Sequence, residues 1–105
     1  MFVSRVIGRS MEPRVHDGSL CVFRPIGAGT RQGKIVLAQH RNIADPDTGG
    51  SFTVKLYSSD KVEVDGELRG PVTLRPLNSE YEPIVLTQVD DGDVAIIGEL
   101  VTVLG

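Results

Sequence analysis

At 105 residues, 40% of them hydrophobic and 24% charged, the chain has room for one domain with a real core and none for a separate recognition domain. A formal net charge of -3 removes any overall basic field, so attraction to nucleic-acid phosphates is not the work of this stretch, and a DNA contact would need another module. No apolar run approaches the ~20 residues of a membrane-spanning helix, and the single cysteine, Cys21, excludes an internal disulfide framework and fits a reducing cytoplasm.

The first apolar run, FVSRVIG, alternates in the manner of a strand and reads as neither a charged leader nor a cleavage site for secretion. It leads into IGRSMEPRVHDGSL, where Ser10 stands between Arg9 and Met11. Gly8 permits close chain approach there, Met11 is an apolar anchor, Pro13 restricts the exit and Asp17-Gly18 reverses the chain. Such a serine is either a turn residue or a nucleophile held on a bend. LCVFRP follows as a strand, with Cys21 in a packing role.

GAGTRQGK imitates a phosphate cradle, but the required spacing puts Ala28 where a glycine belongs and Ile35 where a magnesium-holding hydroxyl belongs, so it is a loop. KIVLAQH is the next strand, and DPDTGG a looser reversal. In SFTVKLY, period-two alternation sets Thr53, Lys55 and Tyr57 on one face and Phe52, Val54 and Leu56 on the other. A lysine in such a run either faces water or is desolvated, and only in the second case can it be neutral enough to act as a base.

KVEV, the two-residue turn Asp65-Gly66, VTLRPL and PIVLT continue the strand pattern, Asp91-Gly92 marks another reversal, and DVAIIGELVTVL supplies a long final strand. DDGDV lacks the spacing of a calcium loop. His16 and His40 have no cysteine or histidine partner at ligand spacing and read as surface or turn residues, so neither a metal nor a cofactor is expected. The fold class is mostly β, a compact arrangement of short strands with little helix and no helix-turn-helix.

GRSMEPRVHDGSLCVFRP, then GKIVLAQ, then FTVKLY, then LRPLNSEYEPIV, taken in order across nearly the whole chain, resemble the C-terminal domain of LexA, UmuD and phage repressors, the Ser/Lys autopeptidases of peptidase S24 type. The resemblance implies a single LexA-like or signal-peptidase-like β domain over residues 1–105. It makes Ser10 the nucleophile and Lys55 the general base, with an oxyanion hole from backbone N–H groups near Ser10, Arg9 among the candidates. It further implies self-cleavage of an upstream linker in an SOS or stress-response regulator, a cytoplasmic homodimer paired through the C-terminal strand region, and promotion by a RecA filament. Only nine residues precede Ser10, so the expected form is the C-terminal part of a longer parent. Type I signal peptidases share the Ser-Met-x-Pro pattern, but here Leu56 stands where arginine is common, and KLYSSDKVEVDG replaces their Gly-x-Pro-Gly-Asp-like box. A non-catalytic dimerisation or docking module of the same fold, and a signal-peptidase-like enzyme acting in trans, are the alternatives.

Overall fold

The computed structural model describes residues 1–27, 31–60, 62–90 and 94–105. Each apolar run becomes a strand: β1 (Phe2–Val6), β2 (Ser19–Arg24), β3 (Ile35–Gln39), β4 (Phe52–Ser59), β5 (Val62–Val64), β6 (Glu67–Arg75), β7 (Ile84–Asp90) and β8 (Ala95–Val103). Their β-branched and aromatic side chains suit a pleated, half-buried surface, and Gly, Pro and Asp separate them. The described residues form no helix. None therefore has a helix long and apolar enough to cross a membrane.

All pairings are antiparallel, and the strands run β1-β2-β8-β3-β4-β6-β5, with β7 on the other side of β6. The last strand in sequence thus lies between the β1–β2 pair and the β3–β4 pair. To do so β8 carries two bulges: Ile97 is the extra residue opposite Leu37 and Ala38, and Val101 the extra residue opposite Val22 and Phe23. Bulges of this kind bend and twist the strand that carries them. Gly98 lies where β8 passes close to the end of β2: a Cβ there would stand 2.9 Å from the Arg24 carbonyl oxygen. Arg24 and Lys34 both reach the Glu99 carboxylate, at 2.8 and 3.3 Å, tying β2, β8 and the start of β3 together.

Asp65-Gly66 forms the two-residue hairpin expected of it: Val64 pairs with Glu67, and both turn residues have positive φ, 52° and 81°. Asp17-Gly18 instead closes a long connection, residues 7–18, whose base is sealed by Gly18 N–H donating to Val6 O and Gly8 N–H donating to the Asp17 carboxylate. Ala28-Gly29, Asp91-Gly92 and most of DDGDV lie outside the described residues.

Two buried clusters lie on opposite faces of β3 and β4. Val36, Ala38 and Tyr57 join Ile43, Val72, Leu74, Leu86 and Val94 in one. Val54 joins Met11, Val15, Cys21 and Phe23 in the other, with Ile35 and Leu37 packed against it. Strands covered on both faces leave no wet side for a charged residue, which decides the environment of Lys55.

Candidate active site

Register fixes the face of Lys55. It stands opposite Val36, and Thr53 opposite Ala38, so both belong to the face that carries the larger apolar cluster. Lys55 is 1% exposed. Burial pushes its pKa below the usual lysine range, because the ammonium loses its hydration there, while the charges of Asp45 and Asp47 pull partly the other way. The water-facing alternative for this lysine is thereby removed. Phe52, on the opposite face at the strand's start, is the exposed one, and Cys21 is wholly buried with its thiol pKa pushed up by that burial.

The Lys55 ammonium donates to Thr53 Oγ1 at 2.7 Å, and Thr53 in turn donates to Asp45 Oδ2 at 2.7 Å. Asp45 Oδ2 is itself 3.8 Å from Lys55 Nζ. The other carboxylate oxygen of Asp45 accepts the backbone N–H groups of Asp47 and Thr48, and the Asp45 backbone is held by bonds with Gly49 and Gly50. Burial raises the Asp45 pKa, but the bonds from Thr53, Thr48 and Asp47 and the Lys55 charge outweigh it and hold the carboxyl below its ordinary value.

Ser10 begins the turn after β1 and is 6% exposed. Its carbonyl accepts the backbone N–H groups of Leu77 and Asn78, and the Asn78 side-chain amide donates to the Arg9 carbonyl. The Leu-Asn pair at the end of LRPLN therefore clamps the serine bend through the main chain. Met11, the next residue, is buried beside Val54, the residue before Lys55, in the same cluster. A capping or turn serine would spend its hydroxyl on a nearby backbone N–H. The Ser10 hydroxyl makes no such bond among the described residues: the Glu12 N–H goes to the Arg9 carbonyl instead. The Arg9 side chain is exposed and pairs with Glu12, which also meets His16.

The connection between β3 and β4 reaches both parts. Asp45 holds the lysine side, and Asp47 lies against Gly8, whose φ of 105° and missing Cβ make room for it. Tyr81 donates its hydroxyl hydrogen to Asp47 Oδ1 at 2.8 Å. The sequence marks this connection only as a looser reversal, and Asn78 only as part of the LRPLN motif; Asp45, Asp47 and Tyr81 carry no signal there, because their partners lie far away in the chain and no local spacing marks them. No hydrogen bond or ion pair joins Ser10 to Lys55 among the described residues; the lysine's hydrogen bond goes to Thr53. His16 is exposed, and His40 is buried in a turn where its Nδ1 accepts the Asn42 N–H.

A groove of about 250 Å³ runs between the end of β1 and the start of β4, lined by Val6, Ile7, Asp45, Thr48, Thr53 and Val54 among others. Its lining includes Asp45 and Thr53 of the polar chain that ends on Lys55, but neither Ser10 nor Lys55 itself. A family model for the Peptidase S24-like domain matches residues 1–101. No curated protein sequence matches the chain.

Proposed function

Because the chain belongs to the Peptidase S24-like family, it carries a peptidase fold, and we propose that it is a serine endopeptidase domain in which Ser10 is the nucleophile and Lys55 the general base. The observation that carries this reading is the burial of Lys55 on an apolar strand face, because a lysine works as a base only where its cation is disfavoured. The Ser10 hydroxyl, which donates no hydrogen bond among the described residues, and the shared cluster of Met11 and Val54 support it. In the reaction, Lys55 takes the Ser10 proton as Oγ bonds to the scissile carbonyl carbon. The oxyanion is met by backbone N–H groups near Ser10, Arg9 among them, and collapse expels the amine, which receives the proton from Lys55. Water then releases the acyl group by the same exchange. In this reading the hydrogen bond between Lys55 and Ser10 forms when a substrate strand enters, as catalytic hydrogen bonds are often unmade or long in unliganded enzymes.

The substrate proposed is an upstream linker of the parent chain, cut by its own domain in an SOS or stress-response regulator of the cytoplasm, with a RecA filament as the promoting partner. This part of the reading rests on the resemblance to LexA and UmuD. The test supplies the linker, in the parent protein or as a peptide in trans. Cleavage is expected to be slow near pH 7 and faster near pH 9 to 10, following the neutral fraction of Lys55. Ser10→Ala and Lys55→Ala should each abolish it, and a serine-directed fluorophosphonate should label Ser10. Retained cleavage in the Lys55 variant, or a rate that falls with pH while the fold persists, sinks the mechanism. The Asp45 carboxylate, which favours the lysine cation, suits the alternative of a non-catalytic docking module; absence of labelling at pH 9 would select it.

A further inference from the structure

We infer that Asp45 is a positioning residue for the proposed reaction, one that keeps Lys55 a cation at rest and fixes the direction of the Thr53 hydroxyl so that the amine's lone pair is left for Ser10. This inference rests on the Ser/Lys reading above. Its ground is the buried chain Asp45, Thr53, Lys55, in which each link is 2.7 Å long.

The direction of that chain follows from what each group can donate. A carboxylate only accepts, so Thr53 must give its single hydroxyl hydrogen to Asp45 Oδ2. Thr53 can then offer Lys55 nothing but a lone pair, and Nζ must donate to it. A neutral amine that donates one hydrogen to Thr53 still has its own lone pair free, whereas a threonine released from Asp45 could turn its hydrogen onto that lone pair and occupy it. The same carboxylate, 3.8 Å from Nζ, opposes loss of the proton. Asp45 therefore orients the base and delays its deprotonation.

Asp45 is suited to this because it does not move independently. Its Oδ1 is held by two backbone N–H groups at 2.9 and 3.0 Å, and its turn is closed by the Gly49 N–H on the Asp45 carbonyl and the Asp45 N–H on the Gly50 carbonyl. The other charges around Lys55 do not duplicate it. Asp47, in the same connection, acts on the amine from further along the loop and is engaged by Tyr81. From β3 the facing residue is Val36, beyond which Glu99 of β8 is engaged by Arg24 and Lys34; Tyr57 shares the face on β4 itself, and from β6 the charged residue next to the β4 ladder, Arg75, is exposed. In the serine connection Arg9, Glu12 and His16 pair with one another at the surface, Arg14 is exposed, and Asp17 holds the Gly8 N–H.

The experiment compares the full chain with Asp45→Asn, which keeps an oxygen for the two backbone N–H groups but removes the charge. The first readout is the titration of the Lys55 amine by nitrogen-15 NMR of labelled lysine side chains, assigned with Lys55→Arg, and it needs no substrate. The midpoint is expected to fall by about one pH unit or more, equivalent to a tenfold larger neutral fraction on the acid side. The second is cleavage of the linker peptide against pH: the acid limb should move down by the same amount while the alkaline plateau drops severalfold as Thr53 turns onto the amine. If Asp45→Asn does not fold, Asp45→Ser, whose hydroxyl can still accept the backbone N–H groups, takes its place. An unchanged Lys55 midpoint in a folded variant overturns the inference, and so does a plateau that stays at the wild-type level. Cleavage that survives Lys55→Ala overturns the underlying dyad instead, and the NMR titration stands apart from that result.

Discussion

The Lys55 ammonium is held almost without exposure to water, and the cost of holding it depends on pH. Its pKa in the folded chain lies below the unfolded value near 10.5, so between those two values the unfolded chain binds more protons. Stability contributed by this position is therefore lowest below the folded pKa and rises with pH through that window. Measured by urea unfolding, the stability of the wild type minus that of Lys55→Met should increase from pH 7 to pH 10; a difference that is flat or falls would contradict a depressed lysine. Asp45 has the opposite dependence: its folded pKa is depressed, so its contribution is present above about pH 4 and is lost as the pH falls through the folded value. Gly8 gives a third residue-scale expectation. Its φ of 105° disfavours any side chain, and a Cβ would collide with the Asp47 carboxylate. Gly8→Ala should cost about 1–3 kcal/mol in chemical unfolding from backbone strain alone, and should free Tyr81 from Asp47, visible as a lower phenol pKa, since that hydrogen bond is the main cause of its rise.

At the scale of elements, the alternation and turn chemistry of the sequence carried most of the fold. All eight apolar runs are strands, and Asp65-Gly66 is a hairpin because its two residues adopt the positive φ that such a turn needs. Gly66→Ala should accordingly destabilise by about 1 kcal/mol, with the loss seen as faster amide exchange in β5 and the facing end of β6. What local patterns could not carry is which strands become neighbours. β8 between β2 and β3, and the bulges at Ile97 and Val101 that let it sit there, answer to no spacing within β8 itself. The same limit governs the site. Thr53, Lys55 and Tyr57 were legible as one face, and the register shows that face to be the buried one. The acid that meets Lys55 was not legible, since Asp45 looks like any turn-forming aspartate until the chain folds back on itself.

For the whole molecule, the arrangement leaves Ile97 and Val101, both bulge residues, exposed on β8, with Leu104 exposed just beyond. Because β8 is hydrogen-bonded on both edges, edge-to-edge pairing is closed to it, and the surface we propose for homodimerisation is instead the one these exposed apolar side chains form. Sedimentation at high micromolar concentration should show dimer for the wild type and monomer for the double variant Ile97→Asp, Val101→Asp; a wild-type monomer throughout would dismiss it.

The place of β8 has one more consequence, which concerns timing. In the sheet, the strand before Ser10 and the strand of Lys55 belong to two ladders, β1–β2 and β3–β4, and β8 alone is hydrogen-bonded to both. A polypeptide emerging from the ribosome reaches residue 94 with each ladder able to form and nothing in the sheet joining them. The final strand is thus the one hydrogen-bonded bridge between these ladders among the described strands, and its late arrival sets when the strand leading to Ser10 and the strand of Lys55 come into a single sheet.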